Sequence, residues 1–427
     1  MLKKPVSGRG KPCLEYARTT GRLDLPVHVP PAGSVTLLHR RPAEHKALPA
    51  LKVGDAVKTG QKITLYDDAT GYVTAPVTGA IASLAPFEGN FGRRYTAVTI
   101  TVDPQETFDE QFAAARSEVT LATASAFLAA APGLPPLHEM GNADRPLKTL
   151  VVCGIDDDLL VFTQQHVLSA RAHDIEKGIH LLKEMAGFED VVILTPREAV
   201  QGYGHIGGRV MGVANTYPHM LPELVMAEVF GRVVPAGRTC VDLGFCFMRA
   251  EAVASIGAAF DTGRIPVAKT LTVIAKDGVG RLVETTVGTP IDVVLTHFGI
   301  ALEEGDRLVL GGPMRGTAAY SPGQPVRPDT DAVMVLDAAR AADVSDYPCI
   351  NCGDCVRVCP ARIQVNLLVC YLEAGKYQDA EEAYDLLSCV ECGLCSYVCV
   401  SKIPILQYIT LAKYELTRTR QAEGTNA

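Results

Sequence analysis

Apolar positions along the chain recur with a period of two in some stretches and with a helical period in others. Val35-Thr36-Leu37-Leu38 reads as a strand, and residues 51–63 and 73–81 alternate around turn residues. Residues 107–146 carry a helical pattern, alanine-rich over 121–131, which Pro132, Pro135 and Pro136 break. An apolar run at 147–154 ends at glycine and predicts a buried strand; 159–187 is periodic as a helix; 190–194 predicts a second buried strand. Strand, helix, strand in this order predicts a βαβ unit with a parallel sheet. The glycine-rich stretch 202–212 fits neither a P-loop nor a dinucleotide fingerprint and reads as a loop. Further on, 269–274 and 281–287 alternate as a hairpin around Asp277-Gly278, followed by a helix over 290–298 and an apolar strand ending in Gly311-Gly312-Pro313. That order is β-grasp-like. Helical faces return at 363–374, 377–387 and 405–417.

These patterns divide the chain into five parts. A basic, Pro- and Gly-rich arm without period covers 1–35. A β module covers 36–106, a central α/β domain 107–262, a β-grasp-like (SLBB) module 263–330 and a helical domain 331–427. Composition narrows the function. The net charge of −8 and pI near 5.7 exclude general nucleic-acid binding. No uninterrupted apolar run reaches the ~18 residues that span a bilayer, so attachment to a membrane is expected to go through other subunits.

The chemistry concentrates in eight of the 13 cysteines. Cys349, Cys352, Cys355 and Cys359 have x2, x2, x3 spacing, and Cys389, Cys392, Cys395 and Cys399 repeat it. This is the ligand spacing of a cubane iron–sulfur cluster, in which three thiolates wrap one corner and the fourth cysteine ligates the other cluster of a pair. The expected sets are therefore Cys349, Cys352, Cys355 and Cys399 for one [4Fe–4S] centre, and Cys389, Cys392, Cys395 and Cys359 for the other. Structural zinc leaves half of these thiols unexplained, and disulfides need an oxidising compartment. Pro360 follows the first run and Val400 the second, so the two exit turns are expected to differ. Cys13, Cys153, Cys240, Cys246 and Cys370 read as ordinary thiols.

The β module resembles the barrel-sandwich hybrid of biotinyl and lipoyl carriers. Its hairpin Asp67-Asp68-Ala69-Thr70-Gly71 lacks their modified lysine, which predicts a docking or packing role. The whole order resembles the RnfC family, one of the components of the Rnf electron-transport complex. The resemblance rests on His45-Lys46, Leu51-Lys52-Val53-Gly54-Asp55, Gly60-Gln61, the strand from Ala75-Pro76 to Gly79, Gly288-Thr289-Pro290, Gly311-Gly312-Pro313-Met314 and both cysteine runs.

The resemblance implies a peripheral electron-transfer subunit at the cytoplasmic face of the cell membrane. It would relay electrons between a ferredoxin-like or cytochrome-like partner and the other subunits of an ion-translocating complex. It also implies a middle domain that binds FMN and NADH, with the flavin loop near Gly133 and an acidic segment at Asp156, Asp157 and Asp158. The sequence departs from the family at both places. Only Gly133 remains of the glycine loop, and added Cβ atoms and prolines fill space and remove N–H donors that a ring or phosphate needs. The expectation is two clusters, little or no flavin and no reduction by NADH. The alternative is a self-contained NADH- and FMN-dependent reductase of the cobalamin-reductase kind. In either case Asp156–Asp158 can cap the following helix.

Overall fold

The computed structural model describes residues 12–17, 25–31, 33–41, 49–66, 71–142, 144–203, 206–341, 343–345 and 347–425. His45-Lys46, most of the hairpin at 67–71 and His205 lie outside these residues.

The N-terminal β module is a sandwich. Strands Ser34–Arg40, Arg94–Val102, Gly79–Glu88 and Ala56–Val57 pair antiparallel in that order, and Lys62–Ile63 pairs with Val73–Thr74 beside them. The period-two pattern explains the core. Val35 and Leu37 point inward from one strand, Val98 and Ile100 from its neighbour, and they meet Val57, Ile63 and Leu65. The Asn90–Gly92 turn at one end of this module reaches the C-terminal helical domain. Phe91 stacks on Tyr414 with ring centroids 4.8 Å apart, and the Tyr414 hydroxyl donates to the Phe91 carbonyl at 2.9 Å.

The central domain holds a fully parallel sheet in the order Arg209–Val213, Asp190–Pro196, Thr149–Cys153, Phe245–Arg249. The expected βαβ unit is present, but its helical stretch forms two helices, Thr163–Ala170 and Ala172–Ala186, which meet at Arg171. The glycine-rich stretch is not wholly a loop. Its end forms the edge strand Arg209–Val213, because pairing with Asp190–Pro196 outweighs its weak strand pattern. Helices Ala172–Ala186 and Ala250–Thr262 cross so closely that a Cβ on Gly178 would lie 2.1 Å from the Val253 carbonyl oxygen.

A mixed six-stranded sheet follows, in the order Val27–Val29, Gly280–Thr286, Ala268–Ile274, Ala332–Leu336, Arg307–Leu310, Thr317–Ala318. The expected hairpin forms its centre, and helix Ile291–His297 covers it. Val27–Val29, inside the stretch without period, is a strand parallel to Gly280–Thr286. Tyr16, also in that stretch, is buried against Tyr217. The C-terminal domain is helical: Asp354–Val358, Val365–Glu373, Tyr377–Tyr384, Leu394–Val398 and Ile405–Thr425. No described helix is long and apolar enough to cross a membrane.

Gly133 shows how tightly these parts fit. It sits at φ +85°, its N–H donates to the Pro328 carbonyl at 2.8 Å, and a Cβ would lie 2.3 Å from the backbone nitrogen of Ala252. Gly133→Ala is expected to cost about 3 kcal/mol, from left-handed strain plus overpacking. Gly231 also has positive φ but opens on empty space, so Gly231→Ala should cost only about 1 kcal/mol. Thermal unfolding of the two variants checks the difference; equal losses would contradict the packing argument.

Candidate iron–sulfur centres and the adjoining cleft

The two cysteine runs share one backbone course. Asn351 and Glu391 take φ values of 54° and 53°; Gly353 and Gly393 sit at 74° and 75°; Arg362 and Lys402 both sit at 58°. Each glycine precedes a one-turn helix, Asp354–Val358 or Leu394–Val398, and each helix ends at an extended cysteine, Cys359 or Cys399. The exit turns match as well. The N–H of Arg362 donates to the Cys359 carbonyl at 3.2 Å, and that of Lys402 to the Cys399 carbonyl at 3.3 Å. The difference expected from Pro360 against Val400 does not appear in these bonds, which neither residue's own N–H is needed to make.

These turns gather the eight thiols around two cavities. Cys359, Cys389, Cys392 and Cys395 line one, closed by apolar side chains such as Ile363, Leu368 and Leu406. Cys349, Cys352, Cys355 and Cys399 line the other, with Val369 and Ile403. All 13 cysteines are free. Burial pushes several of these thiols up, Cys355 to about 11 and Cys389 to about 12, the latter against the opposing charge of Lys413. Thiolates in such apolar surroundings need a cationic centre among them, which a cluster supplies. Donor type, number and apolar lining fit cubane clusters.

The cavities differ in their surroundings. The one built on Cys389 faces inward. The Tyr217 hydroxyl donates to the Cys392 carbonyl at 2.5 Å, and Gly393 lies against the Met314 carbonyl. Lys413 donates to the Cys389 carbonyl at 2.6 Å and pairs with Glu391 at 2.7 Å. The Glu391 N–H points at Cys389 Sγ, 3.4 Å away. The cavity built on Cys349 lies outward, and Ile350 and Val400 on its rim are 66% and 42% exposed.

A cleft of about 660 Å³ adjoins the inner cavity, and Leu406 forms part of both walls. Asp157, Asp158, Arg249, Arg315, Arg327, Asp329, Asp331 and Glu391 line it. Its guanidinium groups are all engaged: Arg249 with Asp331 at 2.8 Å, Arg315 with Asp157 at 2.5 Å and Arg327 with Asp329 at 2.8 Å. Behind the wall, Lys269 and Glu251 form a wholly buried ion pair, and Lys269 also reaches Asp331 at 3.0 Å. Burial opposes the Lys269 charge, but Glu251 and Asp331 hold its pKa above the ordinary value. Burial likewise opposes the Asp331 charge, and Lys269 and Arg249 overcome it.

The acidic segment divides. Asp157 and Asp158 line the cleft. Asp158 accepts from the backbone N–H groups of Leu159, Met314 and Arg315 at 2.7, 3.1 and 2.8 Å. Asp156 lies beneath the start of helix Thr163–Ala170, accepting from the Gln164 N–H at 2.8 Å and the Gln165 side chain at 3.2 Å. Burial pushes Asp156 up to about 7 and Asp158 to about 6. Gly133 faces helix Ala250–Thr262. Sequence reasoning missed Arg249, Arg327, Asp331, Tyr217 and Lys413. None has a local motif; Arg315 alone sits in a quoted one, after Gly311-Gly312-Pro313-Met314.

Lys269→Met should cost about 3–5 kcal/mol, because it strands the buried Glu251 without its cation and leaves Asp331 with Arg249 alone. Denaturant unfolding measures the loss. Iron per folded chain should not change, since neither cysteine cavity includes a member of this network.

Comparison with known proteins agrees with this architecture. Residues 27–105 match the RnfC barrel sandwich hybrid domain, and 348–403 match the 4Fe-4S dicluster domain. A Pseudomonas aeruginosa protein, named as a subunit of an ion-translocating oxidoreductase complex, is 29% identical over 88% of this chain and 51% of its own length. The Rhodobacter capsulatus protein of the same name is 28% identical, covering 87% of this chain and 76% of the relative. A corresponding subunit of the Na(+)-translocating ferredoxin:NAD(+) oxidoreductase complex from Acetobacterium woodii is 25% identical over 87% of this chain and 88% of its own. This chain therefore spans about half the length of the Pseudomonas relative and most of the other two. A chain of an NAD+-reducing [NiFe]-hydrogenase in its H2-reduced state superposes with TM-score 0.48 at 14% identity, over 74% of this chain and 69% of that one. With an N-terminal RnfC barrel sandwich and a C-terminal domain for two [4Fe–4S] clusters, the chain is a homologue of the RnfC components of Rnf complexes.

Proposed function

We propose that the chain is a peripheral iron–sulfur electron-transfer subunit of a membrane-bound, ion-translocating complex of the Rnf type. The observation that carries this reading is the pair of four-thiol cavities, each completed by a cysteine from the other run. Cys349, Cys352, Cys355 and Cys399 would hold one [4Fe–4S] cluster, and Cys389, Cys392, Cys395 and Cys359 the other. When bound, the clusters supply storage and transfer of single electrons. The chain's own residues hold them and keep water away: Ile363 and Leu368 around one, Val369 and Ile403 around the other. No residue at either cavity is required to move a proton.

The partners follow from the two ends. At the outer cavity, exposed Tyr347, Ile350 and Val400 suit contact with a ferredoxin-like or cytochrome-like protein. The other subunits of the complex would hold the chain at the cytoplasmic face of the membrane. The relatives are named as subunits of such complexes, and no described helix can span a bilayer.

A second reading, a reductase that takes hydride from NADH onto FMN, has one observation in its favour: the cleft shares the Leu406 wall with the inner cavity. The residues there do not fit a phosphorylated cofactor. All three arginines are paired with acids, and carboxylates outnumber guanidinium groups. The Asp158 carboxylate occupies the Met314 and Arg315 N–H groups that a phosphate would use. Gly133, the remnant of the flavin loop, is filled by a helix.

Two experiments test the proposal. Cys359→Ser should abolish or reshape the signal of the cluster built on Cys389, Cys392 and Cys395 and spare the other. Loss confined to the Cys349 cluster would show that each run ligates its own. NADH added to the anaerobic full chain should leave the cluster absorbance unbleached, while a low-potential chemical reductant bleaches it. Rapid bleaching by NADH with stoichiometric flavin would establish the reductase instead.

A further inference from the structure

The two cysteine runs match position for position: Cys349 with Cys389, Asn351 with Glu391, and, on the helices behind them, Glu373 with Lys413. The φ values of Asn351 and Glu391, of Gly353 and Gly393, and of Arg362 and Lys402 agree closely, so the two runs follow one backbone course and differ in side chains. Among the charged differences are two of these matched pairs; the outer run also carries the ion pair of Asp354 and Arg357 where the inner run has Leu394 and Tyr397. At the outer site Asn351 is neutral and accepts from the Asn366 side chain at 2.6 Å, while Glu373 is exposed. At the inner site Glu391 carries a charge next to the run. Helix Ile405–Thr425 brings Lys413 to it, with Nζ 2.7 Å from Glu391 and 2.6 Å from the Cys389 carbonyl. Both inner side chains are largely covered, at 21% and 34% exposure, so solvent screens them less than surface charges.

We propose that Lys413 and Glu391 form a charge pair that sets the reduction potential of the inner cluster independently of the outer one. This rests on the cluster ligation proposed above. Reduction adds one electron and hence one negative charge to a thiolate-bound cluster. A cation beside it stabilises the reduced form and raises the potential; an anion lowers it. Lys413 also fixes the Cys389 carbonyl, while Glu391 supplies the N–H aimed at the Cys389 sulfur, so the pair holds the loop as well as charging it. Since the backbones agree, this pair is a route by which two clusters of the same type acquire different potentials.

The test is a redox titration of the anaerobic full chain, followed by electron paramagnetic resonance. Iron and sulfide are counted in every preparation, and the inner signal is identified as the one lost in Cys392→Ser. Lys413→Gln should make the inner cluster harder to reduce, and Glu391→Gln should make it easier. Each change is expected to be about threefold to tenfold in the reduction equilibrium, tenfold being about 59 mV for one electron. Lys413→Arg should leave it near its starting value, and Glu373→Gln should leave the inner signal where it was. Should Lys413→Gln fail to hold its cluster, Glu391→Gln and Lys413→Arg still decide, because neither removes the cation. Two shifts of the same sign, equal movement of both clusters, or no movement at all would overturn the proposal. An unaltered chain with iron and sulfide for fewer than two clusters would instead overturn the ligation on which it rests.

Discussion

The thiol cavities depend on one geometric constraint: a one-turn helix cannot return its last residue to the point where it began. In each run the glycine with positive φ starts such a helix, and the helix carries the fourth cysteine away from the first three. A four-thiol site then exists only if another run supplies the missing member. The two runs therefore have to lie side by side and exchange cysteines, as the linings of both cavities show. The surrounding helices serve that arrangement. Val365–Glu373 and Ile405–Thr425 each place apolar side chains into a shared core with the cysteines.

A second layer anchors this pair to the rest of the chain on one side. Tyr217, from the central domain, bonds the Cys392 carbonyl, and the loop at Met314 lies against Gly393. Phe91, at the tip of the β module, stacks on Tyr414. The inner site is thereby joined to three other parts of the protein, while the rim of the outer one carries exposed apolar residues. This asymmetry gives two sites of the same backbone different environments and different neighbours.

The central domain solves a separate problem. Its cleft gathers acids and arginines from segments far apart in sequence, and the pairs neutralise one another. The wholly buried Lys269–Glu251 pair, tied to Asp331, locks the hairpin Ala268–Thr286 region to helix Ala250–Thr262. Such groups are costly to bury and are stable only as a complete set. The same completeness leaves few free donors for a ligand phosphate.

Some of this was legible in the sequence because it is local. Cysteine spacing expresses how far a few residues of backbone can reach, so the ligand type followed from the chain alone. The alternating strands of the β module, the hairpin around Asp277-Gly278 and the βαβ order were readable for the same reason: periodicity records which face is buried. The strand at Val27–Val29 and the edge strand Arg209–Val213 were not readable, since partners distant in sequence supply their hydrogen bonds. Likewise, Asp156, Asp157 and Asp158 look alike in sequence. Tertiary structure alone sends one beneath a helix, one to Arg315, and one onto the N–H groups of Met314 and Arg315. The glycine at 133 gave the same ambiguity: a missing Cβ can admit a ligand or a helix, and the close approach of Ala252 to it appears only in the tertiary structure.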